Sequence, residues 1–228
     1  MKFFLNKFIY PLIESVIRNI GGGAGQRIRY FYYKNRFKAC GSNVRIDVGV
    51  VFIYPDSIVV GNNVWIASYS LVTGYFKDKP KANRYVIQKK NLNKNILLNT
   101  LVIGNNTSIG PFNIISGYGG LSIGNYVTTS ARVSIYSYSH MPSVKKIPNL
   151  VTYANSMVEG KPISCISSPI IIEDGVWLGL GTIVFGGTIG KYAFSKVNTV
   201  ITNNIEANSV IDGNPSKKIG ERFTNFDK

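Results

Sequence analysis

A chain of 228 residues with 26 Lys and Arg against 11 Asp and Glu carries a formal charge of +15, and 45% of its residues are hydrophobic. This composition excludes a wholly disordered chain and gives enough apolar material for one large domain or two small ones. The positive excess favours phosphate-bearing ligands or anionic surfaces, while two distant cysteines, Cys40 and Cys165, lack the spacing of a metal or redox site and read as reduced structural thiols.

Leu5, Phe8, Ile9, Leu12, Val16, Ile17 and Ile20 fall at helical spacing, so residues 1 to 20 predict an amphipathic helix that Pro11 kinks or interrupts. Lys7, Pro11 and Glu14 break its apolar run, which argues against a secretory signal and against a membrane span of about 20 apolar residues. Beyond Gly21-Gly22-Gly23, Arg27, Arg29, Lys34, Arg36 and Lys38 interleave with Tyr30, Phe31, Tyr32, Tyr33 and Phe37. Residues 1 to 40 thus read as a helical segment that either caps the following domain or lies on an anionic membrane.

From Gly41 a six-residue rhythm begins, faint at Val44 and clearer where Val60-Gly61-Asn62-Asn63-Val64 leads to Ile66. Residues 74 to 100 interrupt it with Lys77, Lys79, Lys81, Arg84, Lys89, Lys90 and Lys94 against a single Asp78. So long a connection is an inserted basic loop, either lying over a phosphate-bearing acceptor or simply solvated. The rhythm is then regular at Ile103, Ile109, Ile115 and Leu121. Six residues advance about 600° around an α-helix and would scatter these side chains, whereas in extended chain an even step keeps them on one side. The pattern predicts short strands stacked into a solenoid, with Gly104 and Gly110 at turns.

After Gly117, Gly119 and Gly120 the rhythm slips and restarts at Ile123, Thr129 and Ile135. Five residues later stands His140, the only histidine in the chain. A second irregular segment, 141 to 169, carries Pro142, Pro148, Pro162 and Pro169. Regular steps return at Ile172, Leu178 and Val184, shift at Gly186 and Gly187, and continue through Ile189, Ser195 and Ile201. The repeat runs out near Asp212, and residues 219 to 228 form a polar tail.

Ile103-Gly104-Asn105-Asn106, Ile123-Gly124-Asn125-Tyr126 and Ile172-Glu173-Asp174-Gly175-Val176-Trp177-Leu178-Gly179 resemble the repeats of hexapeptide acyltransferases. So do Asn198-Thr199-Val200-Ile201-Thr202 and Gly213-Asn214-Pro215-Ser216-Lys217, and the likeness spans residues 41 to 218. Gly117-Tyr118-Gly119-Gly120 and Val133-Ser134-Ile135-Tyr136-Ser137-Tyr138-Ser139-His140 look most like the approach to the active-site histidine in sugar and polysaccharide O-acetyltransferases.

The resemblance implies an all-β fold: a left-handed parallel β-helix of triangular coils, preceded by the helical segment and interrupted by the two loops. It also implies a homotrimer with acetyl-CoA between subunits, His140 as general base, and no metal. Pantetheine would run near Gly179 and Val197 with Thr202 close by, and Lys217 would stand near the CoA phosphates. Leu180, Ser195-Lys196 and Asn203 depart from the common pattern, and Lys196 is the nearest replacement charge. Asn113 is a candidate acceptor-binding residue, or else a corner asparagine that satisfies turn backbone.

Acetylating a hydroxyl requires removal of its proton as the oxygen attacks, a task suited to an imidazole, which as a residue type titrates near neutrality. The expected activity is acetyl-CoA-dependent O-acetylation of a sugar of a cell-surface polysaccharide or lipopolysaccharide, or of its precursor. It would take place in the cytoplasm or at the inner face of the cell membrane, with no part for nucleic acid. N-acetylation of a nucleotide-linked amino sugar and a non-catalytic solenoid on an anionic surface are the alternatives. A carbonic anhydrase of the same solenoid type needs three zinc-binding histidines, and this chain has one.

Overall fold

The computed structural model describes residues 8–75, 85–89, 99–142 and 163–225, with backbone only at 85–89. Lys2, Leu5, Lys7, Lys77, Asp78, Lys79, Lys81, Arg84, Lys90, Lys94, Pro148, Pro162 and residues 226–228 of the tail lie outside the described residues.

Strands of two or three residues alternate with corners, three strands to a coil. The first coil comprises β1 (Ala39–Cys40), β2 (Arg45–Ile46) and β3 (Val51–Ile53), and the second β4 (Ile58–Val60), β5 (Trp65–Ile66) and β6 (Leu71–Thr73). Strand β7 (Tyr85–Lys89) stands apart. Then come β8 (Leu101–Ile103), β9 (Ser108–Ile109) and β10 (Ile114–Ser116), followed by β11 (Leu121–Ile123), β12 (Thr128–Thr129) and β13 (Ser134–Tyr136). Strands β14 (Tyr138–Met141) and β15 (Ile163–Ser167) separate these from β16 (Ile170–Ile172), β17 (Trp177–Leu178) and β18 (Ile183–Val184). The chain finishes with β19 (Gly187–Ile189), β20 (Phe194–Ser195), β21 (Val200–Ile201), β22 (Ser209–Asp212) and β23 (Lys217–Glu221).

Equivalent strands of successive coils stack in parallel into three faces. The first face runs β1-β4-β8-β11-β16-β19, the second β2-β5-β9-β12-β17-β20-β22, and the third β3-β6-β10-β13-β18-β21. Inside, each face contributes a buried column: Val60, Ile103, Ile123, Ile172 and Ile189; Ile46, Ile66, Ile109, Thr129, Leu178, Ser195 and Ile211; and Phe52, Val72, Ile115, Ile135, Val184 and Ile201. All but Ile46, Phe52, Val72 and Ile211 are side chains that the six-residue rhythm singles out. Polar members are satisfied inside the column, as where the Ser195 hydroxyl lies 2.8 Å from that of Thr182 and accepts from the Gly179 N–H at 3.0 Å.

The register explains the slip. Ile103 pairs with Ile123, twenty positions on, whereas Leu178 pairs with Ser195, only seventeen on. First-face strands from β4 onward are three residues long with both ends pointing inward, so Leu121 and Ile123 are both buried. The glycines at 117, 119 and 120 lengthen a corner without turning the strands over.

Asparagine governs the edge between first and second faces. Asn63 (φ 55°) and Asn106 (φ 56°) adopt left-handed backbone angles that asparagine tolerates. Beside them runs a side-chain ladder: the Asn62 N–H donates to Asn105 Oδ1 (2.8 Å), the Asn105 N–H to Asn125 Oδ1 (2.8 Å), and the Asn125 N–H to Asp174 Oδ1 (2.7 Å). A Cβ at Gly104 would collide with the Gly124 carbonyl of the next coil, so glycine sets the coil spacing here.

Among the described residues two α-helices, α1 (Tyr10–Arg18) and α2 (Gly22–Lys34), precede the solenoid. Pro11 sits in the first turn of α1, where proline is tolerated, and Phe8 and Ile9 before it are π-helical. Arg29 is buried and ties three elements together, donating from Nη1 to the Ile17 and Ile20 carbonyls (2.8 and 2.7 Å) and from Nε to the Ile46 carbonyl (3.0 Å). Only Ile17 of α1 is buried, and Phe8, Leu12 and Val16 face outward. At the other end, β23 pairs antiparallel with β22, so the expected tail begins as a closing strand that covers the last sheet edge.

Candidate functional site

His140 leaves the solenoid at the edge between third and first faces. Strand β14 follows β13 after Ser137, whose hydroxyl donates to the Ser116 carbonyl (2.7 Å) and accepts from the Gly119 N–H (2.9 Å). A Cβ at Gly119 would meet the Ser137 carbonyl, so this glycine permits the close approach. The chain returns to the same point, where the Ser168 N–H donates to Ser137 O (2.9 Å). Between exit and return, β14 pairs antiparallel with β15, placing His140 opposite Cys165, and β15 pairs in parallel with β7, placing Cys165 opposite Ile87. The two insertions therefore meet in a three-stranded sheet, and the histidine stands on its outer strand.

The His140 side chain is exposed, with its ring 6.2 Å from that of Tyr138 and nearly perpendicular to it at 75°. Cys165 is buried. Burial pushes its thiol pKa up, against a smaller opposing effect of the hydrogen bond with Tyr138. A buried thiol of that kind is no nucleophile at neutral pH.

Asn113 lies inside the solenoid at 0% exposure. Its Nδ2 donates to Thr129 Oγ1 (2.6 Å) and its Oδ1 accepts from the Val133 N–H (2.8 Å). The amide presents no group to solvent, so its place in this structure is the wall of the coil and not an acceptor site.

Gly179, Leu180, Lys196 and Val197 gather on a different edge, between second and third faces. Gly179 is buried with its N–H also donating to the Ser195 carbonyl (3.0 Å), whereas Leu180 and Val197 are exposed. Lys196 Nζ lies 3.8 Å from Asp212 Oδ2, both side chains about half exposed. Exposed Lys217 sits opposite Asp212 on β23. Thr202, half-buried, follows β21 and so belongs to the His140 edge, two coils beyond it. One chain thus brings together Gly179, Val197 and Lys217 along one edge and puts His140 across the third face from them.

Solved structures with similar architecture include two bacterial proteins. AntD, an N-acyltransferase from Bacillus cereus in complex with dTDP and 3-hydroxybutyryl-CoA, superposes with a TM-score of 0.64 at 17% identity, over 86% of this chain and 88% of that one. The hexapeptide-repeat acetyltransferase VCA0836 of Vibrio cholerae, complexed with acetyl coenzyme A, gives 0.54 at 17% identity, over 93% and 85%. The chain has the hexapeptide-repeat left-handed β-helix fold. A Schizosaccharomyces pombe protein provisionally named an acetyltransferase is 32% identical over 100 residues, which is 43% of this chain and 42% of that relative's length. No family model matches the chain.

Within this fold the residue pattern did not disclose what supports His140. Strand β7 lies in a lysine-rich stretch with no apolar alternation to mark it, and its partner β15 is far away in sequence. Tyr54 was also missed, although it stands on the histidine's edge with its ring 6.0 Å from that of Tyr118.

Proposed function

We propose that this chain transfers an acetyl group from acetyl-CoA to a sugar acceptor, with His140 as general base. The observation that carries this reading is the placement of the chain's one histidine, exposed on the sheet that both insertions build at one edge of a hexapeptide solenoid. Bound acetyl-CoA supplies an activated thioester carbonyl. His140 accepts the proton of the acceptor hydroxyl as its oxygen bonds to the acyl carbon, then returns that proton to the departing thiolate as the carbon–sulfur bond breaks. No acyl-enzyme is required, in keeping with the buried Cys165 thiol.

The second–third edge suits the donor. Exposed Leu180 and Val197 offer an apolar strip for a pantetheine arm, and Lys196 and Lys217 lie toward its C-terminal end as charges for phosphates. Because His140 stands across the third face, we place the complete site between copies in a homotrimer, with one copy's histidine facing its neighbour's donor edge. Calorimetric titration with CoA tests this assignment. Binding is expected, and Lys217→Ala should weaken it about 3- to 10-fold, with a shallower salt dependence. Wild-type protein giving no binding heat would favour a non-catalytic solenoid.

For the acceptor we favour a hydroxyl of a surface glycan or its precursor. A nucleotide-linked amino sugar is the second reading, favoured by the dTDP complex of AntD, and a screen of both acceptor classes separates them.

The outward face of α1 supports a place for the enzyme at an anionic membrane. No helix among the described residues is long and apolar enough to cross one. Phe8, Leu12 and Val16, at 53, 66 and 60% exposure, form one stripe four residues apart, with Phe31 of α2 also exposed. Arg27, Lys34 and Lys38 are exposed nearby, and Glu14 is engaged by the Tyr32 hydroxyl (3.1 Å) and by Arg36 (3.5 Å). Apolar side chains ringed by cations match a bilayer surface. In a sedimentation assay with phosphatidylglycerol vesicles, the wild type should pellet and Leu12→Asp/Val16→Asp should not. Wild-type protein left in the supernatant at physiological salt would reduce the helices to a cap.

A further inference from the structure

The edge that carries His140 also carries a continuous row of aromatic rings. Tyr54 lies 6.0 Å from Tyr118, Tyr118 6.1 Å from Tyr138, and Tyr138 6.2 Å from His140, measured between ring centroids. Three tyrosines from separate turns of the chain thus lead, evenly spaced, to the proposed base, which shares β14 with the last of them. Their orientation sets them apart from ordinary corner stacking. Tyr69 and Phe112, on the neighbouring edge, lie flat on one another, 8° from parallel. In the row the successive interplanar angles are 57, 78 and 75°, so the first pair is tilted and the next two are near perpendicular. The three tyrosines are half-buried.

Position is fixed by the backbone. Tyr118 sits between Gly117 and Gly119, where a Cβ at the first would press on the Thr73 carbonyl (2.9 Å) and one at the second would collide with the Ser137 carbonyl. The segment is thereby clamped against the coils on either side. Burial pushes the Tyr118 phenol pKa up, so its hydroxyl stays neutral and can both donate and accept.

A pyranose has an apolar C–H face and a rim of hydroxyls, and a row of tyrosines offers the complement: apolar ring faces with polar tips. We infer that Tyr118 and Tyr138 form the acceptor-sugar subsite, with the sugar's apolar face on these rings and its reacting group directed at His140. Tyr54, one ring further out, contacts the next sugar unit of a longer acceptor. The inference rests on the acyl-transfer reading and adds to it a route by which the acceptor, as distinct from CoA, is held.

The test uses full-length protein, acetyl-CoA and a panel of methyl pyranosides and methyl aminopyranosides, with thiol release followed by a chromogenic reagent. With the best wild-type acceptor, Tyr118→Leu, which keeps bulk without an aromatic face, should raise the acceptor KM about 5- to 10-fold and leave the KM for acetyl-CoA unchanged. Tyr118→Phe, which keeps the face and loses only the hydroxyl, should raise the acceptor KM less, about 2- to 3-fold. An unchanged acceptor KM in the Leu variant, or a Phe variant as impaired as Leu, overturns the subsite and leaves acyl transfer standing. No acceptor-dependent release from the wild type overturns both. If circular dichroism shows Tyr118→Leu to be unfolded, saturation-transfer difference NMR on the wild type decides. Saturation of the C–H protons of one sugar face on aromatic irradiation supports the subsite, and its absence overturns it.

Discussion

His140→Ala is expected to lower acceptor-dependent CoA release by about 10²- to 10⁴-fold, the range that a positioned general base contributes. The substitution should do so without harming the fold. His140 is exposed on β14, and its register with Cys165 depends on backbone pairing, so losing the ring empties no core. CoA affinity should also be largely retained, because the proposed donor contacts are made by Leu180, Val197 and Lys217 and not by the imidazole. A loss confined to turnover, with CoA binding and the circular dichroism spectrum retained, is therefore the expected pattern. Turnover within about threefold of wild type would remove His140 from the base role.

The largest effect on stability is expected from Ile115→Ala, about 2–5 kcal/mol by chemical denaturation. Ile115 is fully buried in β10, paired with Val72 on one side and Ile135 on the other, in the middle of the third face. Truncation there opens a cavity that rigid neighbouring coils cannot close. In a solenoid each coil contacts only its neighbours, so weakening a central one uncouples the two ends. Its neighbour Ile114 is only half-buried on the outer surface, and Ile114→Ala should lose about 1 kcal/mol or less. Equal losses at the two positions would contradict the assignment of which residue points inward.

The interior was legible because alternation in extended chain is strict: every sixth residue from Ile103 to Leu121 is buried, as are Ile172, Leu178 and Val184. The sense in which the coils wind was not, since a six-residue period is the same for either hand; that came from the likeness of motifs. Local detail was less legible. The apolar stripe of α1 was visible, but periodicity cannot say whether such a stripe turns toward the protein or away from it, and Phe8, Leu12 and Val16 turn away. Asn113 stood out as a polar residue near the glycine cluster, yet hydrogen bonds to Thr129 and Val133 absorb its amide within the wall. The sheet beneath His140 could not be foreseen, because it joins β7 and β15 across two intervening coils, and non-local pairing leaves no trace in local pattern.

One measurement bears most directly on the central claim. Purified protein is incubated with acetyl-CoA and the panel of hydroxyl and amino pyranosides, and the products are examined by mass spectrometry. The account predicts an acceptor carrying one added acetyl group, formed by the wild type and nearly absent with His140→Ala. Acetyl-CoA left intact alongside every acceptor, or equal product from wild type and His140→Ala, would contradict it.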